Sequence, residues 1–176
     1  MAKFTLNGLK GADRLSPEFK QAFESFIPRW IESLIPYCEE ARRQGVDFLC
    51  LSNYKPMGAP CELYEKDGTG YYMTEYRGVK QLAFNSDYRH IKCNWCECFN
   101  EMYPGIDNVH DFGAYNYYLT HLFHNRPEVK EWEDRINECF QKMTGCTDAE
   151  LSIGNTSMVF FNDKARRYTD EHRAYR

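Results

Sequence analysis

Ser16-Pro17-Glu18 opens a long helical stripe of apolar residues, and that stripe constrains the fold more than any other feature of the chain. Serine caps a helix N-terminus, proline fits its first turn, and a carboxylate there complements the positive end of the helix dipole. Phe19, Ala22, Phe23, Phe26, Trp30 and Leu34 then recur at spacings of three and four, and Tyr37 extends the row. A face with so many large rings must be covered, so the rest of the chain has to supply a layer to receive it. Pro28 and Pro36 fall inside the pattern. Each removes a backbone donor, which predicts two or three linked segments rather than one helix. Gly45, after Arg42 and Arg43, marks the end.

Strand signals come next. Phe4-Thr5-Leu6 is a short strand candidate ahead of the helix. Val46 to Leu51 is short, apolar and bounded by turn formers, as a buried strand should be. Lys55 to Pro60 is a loop. Cys61 to Glu65 and Tyr71 to Tyr76 flank Asp67-Gly68-Thr69-Gly70, a hairpin signal. Val79 to Phe84 is either a further strand or the approach to a helix. Ala149 to Ile153 and Thr156 to Phe161, around Gly154-Asn155, read as a last hairpin.

Between these strands the period is helical. Tyr88, Ile91, Trp95, Phe99 and Met102 form one stripe, ended by Tyr103-Pro104-Gly105. Phe112, Tyr115, Leu119, Leu122 and Phe123 form a second. Val129, Trp132, Ile136, Phe140 and Met143 form a third, starting near Pro127 and closed by Gly145. Glu97 to Met102 also resembles Glu138 to Met143, as expected of two helices that show similar faces to one core. Strands and helices are thus segregated along the chain. The fold class is α+β: a single domain over residues 1–163, with a small mixed or antiparallel sheet packed against the N-terminal helix and a three-helix layer. Residues 164–176 form a basic C-terminal tail with five basic and two acidic side chains.

Composition narrows the function classes. At 176 residues the chain can bury roughly 70% of its unfolded surface, so it needs neither disulfides nor a metal to fold. A net charge of −4 argues against nucleic acid and anionic membrane as partners. No signal peptide or membrane-length apolar run is legible, which predicts a cytoplasmic protein with reduced cysteines. No phosphate-binding, dinucleotide-binding, nucleophile-elbow or zinc-protease motif occurs.

The chemically able side chains concentrate between Asp87 and Asn125. At about 100° per residue, Cys98 joins the apolar stripe and reads as a packing residue, as does Cys139. Cys93 and Cys96 fall off the stripe, on a flank shared with His90 and Glu97. Imidazole, thiolate and carboxylate suit zinc, so His90, Cys93 and Cys96 are candidate metal ligands, although no cofactor is demanded. Tyr117, His121 and His124 likewise lie opposite their own apolar stripe. Tyr and His present amphipathic area at low entropic cost, which makes this face a candidate binding surface for another protein or a second copy. Arg166 and Arg167 in the tail are further binding candidates for an acidic partner.

A second constellation sits around the central hairpin. Arg77 follows a strand and Glu75 precedes it by two. Leu51-Ser52-Asn53-Tyr54-Lys55-Pro56, then Tyr72-Met73-Thr74-Glu75, then Gly154-Asn155-Thr156, fall in an order that resembles the NADAR family of N-glycosidases. That resemblance implies a nucleotide or nucleotide-sugar substrate, with Glu75 acting on a ribose-linked base. The family's Trp-Gly after the last motif is replaced by Asn162-Asp163, and its histidine after the Glu by Tyr76. Two functions are therefore expected: a non-enzymatic binding or protein-interaction module acting through the helical surface, or a small enzyme using Glu75 and Arg77.

Overall fold

A computed structural model describes residues 3–50, 61–66, 69–84, 99, 102–106, 127–152 and 158–167. Its spine is helix α1 (Pro17–Gln44). Ser16 caps it, its Oγ accepting the Phe19 N–H at 3.2 Å. Gly45 ends it at φ 66, a left-handed conformation, with its N–H turned back to the Ala41 and Arg42 carbonyls. The break predicted at Pro28 and Pro36 does not occur, since both lie inside one 28-residue helix. An interior proline costs roughly 3 kcal/mol. Against two of them stand Phe19, Phe23, Phe26, Ile27, Trp30, Ile31 and Leu34, all buried. At roughly 1.5–3 kcal/mol per large apolar side chain, that burial outweighs both prolines.

The rings of α1 form the centre of the core. Phe19 stacks on Phe23 at 5.8 Å, and Phe26 on Trp30 at 5.9 Å. Phe99 fills the space between turns, 5.3 Å from Phe19, 6.3 Å from Phe23 and 5.4 Å from Phe26. Helix α2 (Pro127–Thr144) adds Trp132, 6.4 Å from Phe23, together with Ile136, Cys139 and Phe140. Phe99 and Phe140 are both fully buried, with Met102 and Met143 packed at the margin of the same cluster. The sequence echo between the two segments is therefore a shared core-facing pattern. Of the three-helix layer, α2 and the helical residues Phe99 and Met102 are described; the helix expected around Phe112 to Phe123 lies outside the described residues.

The N-terminal segment is not the strand that Phe4-Thr5-Leu6 predicts. It lies over α1 and α2 as a strap that turns at Asn7-Gly8, where the Leu9 N–H donates to the Leu6 carbonyl at 3.1 Å, with Phe4, Leu6 and Leu9 buried. Side chains take the place of a neighbouring strand. Glu24 Oε1 accepts the Leu6 N–H at 2.8 Å, Arg135 donates to the Thr5 carbonyl at 3.2 Å, and the Trp132 indole N–H donates to the Lys10 carbonyl at 3.1 Å.

Six strands make one mixed sheet: β1 (Phe48–Cys50), β2 (Cys61–Lys66), β3 (Thr69–Tyr76), β4 (Val79–Phe84), β5 (Glu150–Ser152) and β6 (Met158–Phe160). Among the described residues the order is β2-β3-β4-β1-β6-β5, and only the β1–β4 pair is parallel. Val79 to Phe84 thus resolves as a strand. One register row crosses five strands, from Met73 to Leu82, Leu49, Val159 and Leu151. All five join the core cluster under the helices. The opposite face of β1 carries Phe48 and Cys50, which cluster with Val79, Phe160 and Ala165. β1 is buried on both faces, which is why its sequence reads as an unbroken apolar run rather than an alternation. Ala165 is fully buried within a helical turn over 163–167, so the start of the basic tail is docked on the sheet.

At one edge, α2 occupies the backbone groups of β5. Asn137 Oδ1 accepts the Leu151 N–H at 2.9 Å, and Gln141 Nε2 donates to the Ala149 carbonyl at 3.0 Å. Such cover blunts an edge that would otherwise template pairing with another chain.

Phe23→Ala should cost about 3–5 kcal/mol in urea-melt stability, because its ring joins those of Phe19, Phe26, Phe99 and Trp132. A loss below about 1 kcal/mol would mean that this cluster is not the core.

Candidate functional site

The β3–β4 hairpin positions the two catalytic candidates. Its register runs to Tyr76 opposite Val79, so Arg77 and Gly78 alone make the turn. Their φ values are 50 and 77. Positive φ at both central residues is the type I′ turn, whose twist matches that of the paired strands. Gly78 meets this requirement without strain, whereas Arg77 adopts a backbone that a side chain rarely takes. Glu75 lies two residues earlier on β3, opposite Lys80. Glu75, Arg77 and Lys80 are all exposed. The hairpin end therefore carries one acidic and two basic exposed side chains.

A polar cluster that sequence reasoning missed lies at the adjoining end of β1. Asp47 bridges strands: its N–H donates to the Lys80 carbonyl at 2.9 Å, and its carbonyl accepts the Phe161 N–H at 3.0 Å. The carboxylate accepts the Lys80 N–H at 2.7 Å and the Asn162 Nδ2 at 2.8 Å, with Lys164 Nζ at 3.4 Å. Asn162 Oδ1 in turn accepts the Ala165 N–H at 3.2 Å, which caps the helical turn that follows. Partial burial opposes ionisation of Asp47, but the Lys80 N–H, the Asn162 amide and Lys164 outweigh it and hold the carboxyl below the usual aspartate range. The sequence signal was an acidic residue placed inside an apolar strand run.

Another cluster gathers at the C-terminal end of α1. Arg42 donates to Asp148 at 2.6 Å, and its guanidinium lies over the Phe161 ring at 5.6 Å. The Arg42 hydrogen bond is the main cause that lowers the Asp148 carboxyl below its ordinary value. Beside them, burial and then the neighbouring Cys146 push the Cys38 thiol up to about 12. Burial likewise raises Cys139. Cys38, Cys50, Cys139 and Cys146 all carry thiols rather than disulfides. Cys139 is 4% exposed, the packing residue its helical phase predicts.

The binding candidates in the tail separate. Arg166 is ion-paired with Glu150 of β5, so its charge already serves the fold. Arg167 is exposed. Tyr117, His121 and His124, like His90, Cys93 and Cys96, lie outside the described residues. Among the described residues no group of three or more His, Cys, Asp or Glu is arranged to hold a metal ion. No helix among them is long and apolar enough to cross a membrane.

No family model matches the chain, and no curated protein or solved structure matches it. The NADAR resemblance therefore rests on its three short segments alone. Of these, the first lies wholly outside the described residues, as do Gly154, Asn155 and Thr156 of the last.

Three measurements check this geometry. A Cβ added at Gly78 meets nothing within 4 Å, so Gly78→Ala isolates backbone strain and should cost about 1–2 kcal/mol. Asp47→Ala should cost about 2–3 kcal/mol at pH 7, the usual range for hydrogen bonds to a charged group. Because the folded carboxyl titrates low, its contribution is complete above the unfolded aspartate value of about 3.9 and is lost as pH falls through the folded value. Wild type and variant should thus converge in acid, and a gap that widens there would contradict the assignment. In alkylation of the native protein at pH 8 followed by mass spectrometry, Cys38 should label more slowly than Cys146, since only the thiolate reacts.

Proposed function

We propose that this protein is a non-enzymatic binding or protein-interaction module that engages another protein, or a second copy of itself. The single observation that carries this reading is the exposure of Glu75 and Arg77 at the end of the β3–β4 hairpin. An enzyme acting on a nucleotide or nucleotide sugar needs its acid or base enclosed with the ligand, in a site that excludes water. Exposed side chains at a two-residue turn favour the other reading. The surface assigned to binding is the one that the sequence pattern expects Tyr117, His121 and His124 to share, supported by the offset of those residues from the apolar stripe of Phe112 to Phe123. Arg167 would add a positive rim, whereas Arg166 is already engaged by Glu150. A net charge of −4 favours a protein partner over nucleic acid. The four described thiols are in keeping with a reducing, cytoplasmic setting. If a structural zinc holds the binding surface, His90, Cys93 and Cys96 are its ligands, and untagged protein should then carry about one equivalent.

The test is sedimentation velocity together with affinity capture by the purified chain. The expected result is a dimer or a stoichiometric complex, weakened about tenfold or more in the Tyr117→Ala/His121→Ala variant. A strictly monomeric chain that captures no partner would overturn the proposal. So would turnover of a nucleotide or nucleotide sugar that Glu75→Gln abolishes.

A further inference from the structure

We draw no further inference here: the strongest candidate, the outer edge of β2 (Cys61–Lys66), which pairs with β3 alone among the described residues, carries no proposal because nothing in the structure shows what covers it.

Discussion

The packing of Phe99 into the ring row of α1 is the contact on which the rest of the structure depends. It touches Phe19, Phe23 and Phe26 within 6.3 Å, and Tyr103 one turn later at 5.4 Å. Aromatic pairs at these separations contribute about 0.5–1.5 kcal/mol each beyond the area they bury. The same contact joins the first helical segment of the chain to one eighty residues later, so it closes a long loop. Trp132 of α2 packs on Phe23 of the same ring row, and the sheet row from Met73 to Leu151 joins the same cluster. It also explains how α1 tolerates two prolines. The helix owes little to its own propensity and much to the layer beneath it.

Polar side chains finish what the rings begin. The strap from Phe4 to Leu9 has no strand beside it among the described residues, and Glu24 and Arg135 bond its backbone directly. The β5 edge has no outer neighbour strand among the described residues, so Asn137 and Gln141 of α2 bond it instead. At the far end of β1, Asp47 ties β4, the chain after β6 and the final helical turn into one knot. In each place a side chain supplies the partner that a backbone donor or acceptor would otherwise find in a neighbouring strand.

These two kinds of interaction were unequally legible in the sequence. The apolar stripe of α1, the run from Val46 to Leu51, both flanks of the central hairpin and the stripe of α2 follow from periodicity, which is a local property. The α+β architecture follows from their order. The unbroken α1 was not legible, because the proline penalty is local while the burial that overcomes it comes from Phe99 and Trp132. Asp47 and the Arg42–Asp148 pair were missed for the same reason. Their partners lie 33 and 106 residues away, and nothing in the spacing announces them. Arg42 was read as a helix-end cation, which it is, but its partner is fixed by tertiary packing.

This division bears on how charged residues should be interpreted. From sequence Arg42 looks like a helix-end cation, and Lys164 and Arg166 like part of a basic tail available to a partner. In the fold each faces a carboxylate: Asp148, Asp47 and Glu150 in turn. Arg42 also packs on Phe161, and Lys164 joins the knot that caps the last turn. Neutralising Lys164 or Arg166 removes a counter-charge that ties the last helical turn to Asp47 or to β5. A binding defect in such a variant would therefore report first on stability. Arg77 lies on a turn whose backbone geometry is set by the hairpin register, with its side chain exposed. Gly78 follows it at φ 77 with open space around an added Cβ, so a Gly78→Ala change perturbs the turn's backbone and nothing else, and the twist of the β3–β4 pair depends on that backbone.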